Sequence, residues 1–287
     1  AELDGAGDPL GTAPRGRSPR QHSVTTALRW SYDLLAPGEQ ALLDRLGVFA
    51  AAFDGPLAAA LVACDPDRVA PVPSGLDELR RQGLLGAEVG PGDGPNRYGL
   101  LAVVRGFARE RLTDTGREAS ARAEHAAVLV DRLSAVSPGI EAWPERADID
   151  TLAALEPDAL LALDWAFGAG EDPTTGRRVV AAIAPLWYFR GQVAALLRWS
   201  VMGHRSLTPA DPPSEHYRAA YHLAVAQWSA GELTAAAVTI RAAVDGAAAA
   251  GDAVWLAECL GIEQLLSLSA GDFASADALT DRCVAAA

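Results

Sequence analysis

Three short stretches, FRGQV at 189–193, SAGEL at 229–233 and SAGDF at 269–273, place Gly191, Gly231 and Gly271 forty residues apart, twice over. Each glycine is followed at +2 by Val193, Leu233 or Phe273, and at +5 by Leu196, Ala236 or Ala276. In a repeated helical pair the glycine makes the tight turn, because it reaches positive φ without a Cβ penalty. The +2 residue is expected to plug the neighbouring helix, and the small residue at +5 to let two helices approach closely. Helical pairs of this length cannot bury their faces alone, so they must stack into a solenoid. From Thr113 to the end, helical patterns with short breaks continue and no convincing strand appears.

The chain before the repeats has a different grammar. Residues 1–19 are rich in Gly, Pro and Arg and nearly empty of large apolar side chains, which reads as a linker or the end of an upstream domain. Residues 20–115 read as a winged-helix domain. Val24, Ala27, Leu28, Ser31 and Leu35 follow helical spacing from a cap at Ser23, and Pro37-Gly38 breaks that helix. Leu42, Leu43, Leu46 and Phe49 make the stripe of a second helix, and Asp54 caps a third that carries Leu57, Leu61 and Val62. Ser74 is expected to cap a helix bearing Leu76 and Leu79, with Gly83 at its left-handed end. LLGAEV and RYGLL read as two strands of a hairpin around a Gly/Pro turn at 90–95. Val104, Phe107, Ala108 and Leu112 then open a closing helix. The fold class is therefore mainly α, a winged helix with a small wing followed by an α-helical solenoid over 116–287.

Within RQHSVTTALRWSYDLL, Trp30 and Tyr32 stand two residues apart. On a helix they point about 200° apart, so they cannot line one face. One ring is expected against the closing helix and the other on an outer surface; spacing does not say which.

Charge and composition exclude several chemistries. The net charge is −13 and every one of the 24 basic residues is Arg. Without lysine there is no P-loop lysine, Schiff base or lysine general base. Residues 20–115 carry ten Arg against twelve acids, and Asp77 and Glu78 stand on the would-be reading helix beside Arg80 and Arg81. Phosphates would repel those acids, and residues 116–287, with twelve Arg against twenty-two acids, are no better suited. Nucleic acid is therefore not expected as a partner of this stretch.

Glu215, His216 and His222 fall near the start of one helix, but the two His point about 240° apart, whereas a two-His metal site on a helix wants i, i+4. Glu215 and His222 share a face and are placed to hydrogen bond. His125 reads as a helix-surface residue. The carboxylate pairs Asp65/Asp67 and Asp148/Asp150 do not match a calcium loop, and no G-x-S-x-G elbow occurs. No catalytic, cofactor or metal residue is assigned. Three cysteines, Cys64, Cys259 and Cys283, read as buried free thiols of a reducing cytosol. No run of 18 uncharged apolar residues suggests a membrane span. The absence of an initiator Met and an ending RCVAAA inside a helical pattern read as a piece of a longer polypeptide.

RQHSVTTALRWSYDLLAPGEQALLDRLGVFAAAF resembles the segment that follows the nucleotide-binding region in bacterial STAND-class signal-transduction ATPases, notably the AfsR-like and LuxR-type large regulators of actinobacteria. LDELRRQGLL and RYGLLAVVRGFARERL look like that family's third helix, wing and final helix. ALEPDALLALDWAF and LWYFRGQVAALLRW resemble the first helices of its tetratricopeptide-like sensor region. The resemblance covers residues 20–200 and implies a cytoplasmic, non-catalytic part of a switch. An upstream nucleotide-binding domain of the same polypeptide would hold ADP or ATP, the winged helix would pack on it, and the repeats would sense an inducer, protein or peptide. Interface candidates are Trp30, Tyr32, Trp187, Tyr188, Arg190, His216 and His222. Where related immune receptors carry a nucleotide-touching Met-His-Asp, this chain has Leu100-Leu101-Ala102, so no nucleotide contact is carried over. Two other readings stay open: a DNA-binding winged helix with a helical sensor or dimerisation region, and a freestanding helical-repeat peptide-binding adaptor.

Overall fold

A computed structural model describes residues 19–64, 71–88, 96–137 and 144–286. The stretch 1–18, the acidic pair at 65 and 67, and the turn at 90–95 lie outside the described residues. Helix α1 (Pro19–Asp33) begins ahead of Ser23, which is an interior residue and not its cap. Its inward face carries Leu28 and Tyr32, at i and i+4, and Leu35 joins them in the core from the bend just past the helix end. Ala27 is exposed and Tyr32 belongs to the stripe, because a Tyr ring is apolar enough to pack once its hydroxyl finds a partner.

The winged helix continues with α2 (Pro37–Leu46), β1 (Phe53–Asp54), α3 (Gly55–Ala63), α4 (Val72–Arg81), β2 (Gly86–Glu88), β3 (Arg97–Gly99) and α5 (Ala102–Asp114). Leu42, Leu43, Leu46, Phe49, Leu57, Leu61, Leu76, Leu79, Val104, Phe107 and Leu112 all enter the core, as their spacing requires. Asp54 caps α3, accepting from Leu57 N. Ser74 does not cap α4: the helix starts two residues earlier behind Pro71, and the Ser74 hydroxyl donates to the Pro71 carbonyl at 3.0 Å. Prolines preset φ for a first turn, so a serine is not needed there. The sheet has three strands in the order β1-β3-β2, both pairings antiparallel. Strand β1 is two residues long, too short for an alternating pattern to reveal.

Eight further helices follow: α6 (Glu118–Val136), α7 (Arg146–Ala166), α8 (Pro173–Phe189), α9 (Val193–Arg205), α10 (Pro213–Ser229), α11 (Leu233–Ala250), α12 (Ala253–Ser269) and α13 (Phe273–Ala286). Each packs on its chain neighbour, and α6, α8, α10 and α12 also touch in sequence, which gives the solenoid an inner row. Gly191, Gly231 and Gly271 have φ of +64°, +78° and +78° and join α8 to α9, α10 to α11 and α12 to α13. At each, the next residue's N–H reaches back to Trp187, Gln227 or Ser267 at 2.8, 2.8 and 2.9 Å, closing the helix end. The +5 residues Leu196, Ala236 and Ala276 are buried at 1%, 0% and 2% exposure. Two of the three +2 residues do not plug their neighbours: Leu233 is 37% and Phe273 67% exposed, while Val193 is half-buried. They sit at the first helical position, where the side chain lies over the turn instead of the helix-helix seam.

One apolar core runs from Tyr32 through α2–α9 to Ala226, crossing the boundary expected at 115–116, and a second spans Tyr217 to Leu279. Helix α11 alone among the described residues is long and apolar enough to cross a membrane by length and composition. It carries Arg241 and Asp245, and its face Ala236, Ile240, Ala243, Val244 and Ala247 is buried in the second core.

Candidate functional site: a groove on the inner row and a clamped joint

The inner row of helices encloses an open groove of about 1000 Å³. Its lining repeats with the forty-residue period of the turn glycines. Arg178, Arg218 and Glu258 form one rung; Ala181, Tyr221 and Gly261 the next; then Ala182, His222 and Ile262; then Pro185, Val225 and Leu265; and finally Tyr188 and Trp228. Along each helix these positions fall at +3, +4, +7 and +10, one face of a helix. The groove is thus charged at one edge, apolar in the middle and aromatic at the other edge.

Tyr188 stacks on Trp228 at 6.3 Å between ring centroids, and the Trp228 indole donates to Ser269 Oγ at 3.2 Å. Tyr221 meets Trp255 edge-on at 5.4 Å, and the Arg218 guanidinium lies over the Trp255 ring at 5.2 Å. Burial pushes the His222 imidazole down to about 4, with the Arg218 charge adding to the effect, so the ring is neutral at pH 7. Burial also raises the Tyr221 phenol. The lining therefore presents two guanidinium groups and one carboxylate, with neutral rings between.

The second feature is a joint. The loop 47–52 leaves α2 and is held on both its donors and its acceptors. Arg109 Nε donates to the Gly47 carbonyl at 2.9 Å, and Arg97 donates to the Ala52 carbonyl at 2.5 Å. Asp158 on α7 accepts from Ala50 N at 2.7 Å and Ala51 N at 3.2 Å. Its Oδ1 also lies 3.0 Å from His125 Nε2 on α6. Asp158 and His125 are buried, at 1% and 3% exposure. His125 is thus a core residue, edge-on to Phe49, and not a surface one. Both were readable as polar residues on apolar stripes: Asp158 between Leu155, Ala159 and Ala162, and His125 between Ala121 and Leu129. A buried polar group on such a stripe needs a partner.

The sequence-derived interface candidates separate. Tyr188 and His222 are in the groove wall. Trp187 is not: it is fully buried, and its indole donates to Glu156 Oε1 at 2.8 Å, because adjacent helical residues point about 100° apart and only Tyr188 faces the groove. Arg190 is exposed at the α8 end, 3.9 Å from Asp150. His216 is exposed and its ring contacts the Thr208 carbonyl at 3.1 Å. Glu215 does not pair with His222; it accepts from the buried Arg177 at 2.8 Å, a guanidinium that also reaches Asp211 at 2.6 Å. Tyr32 is the buried ring, edge-on to Phe107 of α5 at 5.2 Å, while Trp30 is 67% exposed. Cys64 is exposed at the end of α3, and Cys259 is buried. Among the described residues no group of three His, Cys, Asp or Glu is placed to hold a metal ion.

Comparison with known proteins places a winged helix-turn-helix domain at residues 35–113. Over 194 residues the chain is 29% identical to proteins of Mycobacterium bovis and of two strains of Mycobacterium tuberculosis, each provisionally named as an HTH-type transcriptional regulator. The similarity takes in 64% of this chain and 20% of each relative, so the chain spans about one fifth of the length of the curated relatives it matches. No solved structure matches the chain.

Proposed function

We infer that this chain is a non-catalytic regulatory segment of a transcriptional regulator. The repeats receive a ligand or partner in the inner groove, and the winged helix passes the effect to the rest of the polypeptide. The joint carries this reading: Asp158 of α7 holds two backbone N–H groups of the winged-helix loop, so a shift of α7 cannot leave the winged helix untouched. The relatives' names supply the regulatory setting, and most of their length lies outside the matched stretch. In that remainder the family resemblance expects a nucleotide-binding domain holding ADP or ATP. Regulation requires the groove ligand to favour one arrangement of the domains over another, and the compartment is the cytoplasm. The test is the polypeptide extended upstream of Ala1. It is expected to contain a G-x-x-x-x-G-K-[ST] loop and to bind ADP; a longer polypeptide without either overturns the switch.

A second reading, DNA binding through the winged helix, is favoured by the helix-turn-helix match. Against it, Arg80 and Arg81 on α4 are paired with Asp77 and Glu78 of the same helix. Two acids on the helix that would enter a groove oppose phosphate approach. The two readings part on affinity for duplex DNA.

A further inference from the structure

The groove's rungs specify the chemistry of its occupant, on the reading that the repeats receive a partner. Arg178 and Arg218 occupy equivalent positions of successive inner helices, both exposed, on a chain whose net charge is −13. Among the described residues Arg178 has a 3.8 Å contact with the 82% exposed Asp131, an ion pair that water screens. Arg218 lies over the Trp255 ring, which orients its guanidinium, and the same guanidinium also faces the Tyr217 hydroxyl and the Asp252 carboxylate at the rim. Ten residues along each of the same helices, about 15 Å away at 1.5 Å per residue, Tyr188 and Trp228 stack to form an aromatic platform. Val225, Ile262 and Leu265 lie between the two edges.

A ligand that satisfies both edges is long, anionic at one end and apolar or aromatic at the other. Fifteen ångströms is about four to five residues of extended peptide, and the cavity, about 1000 Å³ across four helices, is at the upper end of small-molecule sites. We propose that the groove binds an extended peptide segment of a partner protein, with an acidic group at Arg178 and Arg218 and a large apolar or aromatic side chain on Tyr188 and Trp228. Glu258 at the third position of the charged rung sets polarity: the acid belongs toward α8 and α10, not toward α12.

A random dodecapeptide display library panned against the full chain tests this. Enriched peptides are then measured by calorimetry at physiological salt against wild type, the Arg178→Glu/Arg218→Glu double variant, and Trp228→Ala. The expected result is a consensus pairing Asp or Glu with aromatic or aliphatic residues four to five positions away. Affinity should fall about tenfold or more in the charge-reversal variant, in line with a lost charge-assisted contact, with the thermal melt of that variant unchanged. A basic or purely apolar consensus, no enrichment, or affinity indifferent to both variants overturns the proposal. Saturation by a small aromatic carboxylate, indole-3-acetate, at the peptide's own concentration overturns the requirement for an extended ligand. None of these failures touches ADP binding by the longer polypeptide, on which the functional reading is tested separately.

Discussion

Two buried carboxylates of this chain behave in opposite ways. Asp44 of α2 accepts from the Tyr32 hydroxyl at 3.0 Å, but its Oδ1 has no protein partner. Burial raises its carboxyl from 3.8 to about 6, against the Tyr32 hydrogen bond and the Arg111 charge, which lower it. A carboxyl whose folded value is raised stabilises the fold when protonated, so this contribution is full below pH 4 and is lost as pH rises through about 6. Asp44→Asn should abolish that slope and leave the protein more stable at pH 7 by about 1–3 kcal/mol. Urea unfolding at pH 4 and pH 7 checks this; equal slopes in both proteins would refute it. Asp158, in contrast, is answered by two backbone N–H groups and His125. Asp158→Ala strips partners from buried donors and should cost about 2–4 kcal/mol; a loss below about 1 kcal/mol in the same assay would deny the joint its role.

At the scale of elements, the forty-residue period was legible because it rests on a backbone requirement that only glycine meets cheaply. Gly231 has φ +78° with open space where a Cβ would go, so Gly231→Ala should cost about 1 kcal/mol from backbone strain alone. Gly106 in α5 also has open space but an ordinary helical backbone, and Gly106→Ala should stabilise by about 0.5–1 kcal/mol. Thermal melts of the pair separate conformation from packing; matching shifts in one direction would contradict it. Helix faces such as Leu42, Leu43 and Leu46 were equally readable, since spacing alone decides burial there. Strand β1, the true start of α4 and the exposure of Phe273 were not, because they depend on tertiary pairing or on where a short turn aims a side chain. The groove was half legible: Tyr188 and His222 were singled out, yet Arg178, Arg218 and Trp228 declare themselves only when the inner helices are laid side by side at their period.

Across the whole molecule, the winged helix and the first repeat helices share one core, joined at the Asp158 clamp. On the proposed reading, a winged helix built into such a body, with acids beside the arginines of α4, transmits a signal instead of reading DNA. Sequence could not show this continuity, because it is made by contacts between residues more than a hundred positions apart, such as Ala50 and Asp158. The most direct measurement is a titration of the chain against random duplex DNA across a salt series. At about 150 mM salt, binding no tighter than tens of micromolar, the ordinary non-specific range, is predicted. Sequence-selective binding at about 10 nM, abolished by Arg80→Ala and Arg81→Ala, would contradict it and make the winged helix a DNA reader.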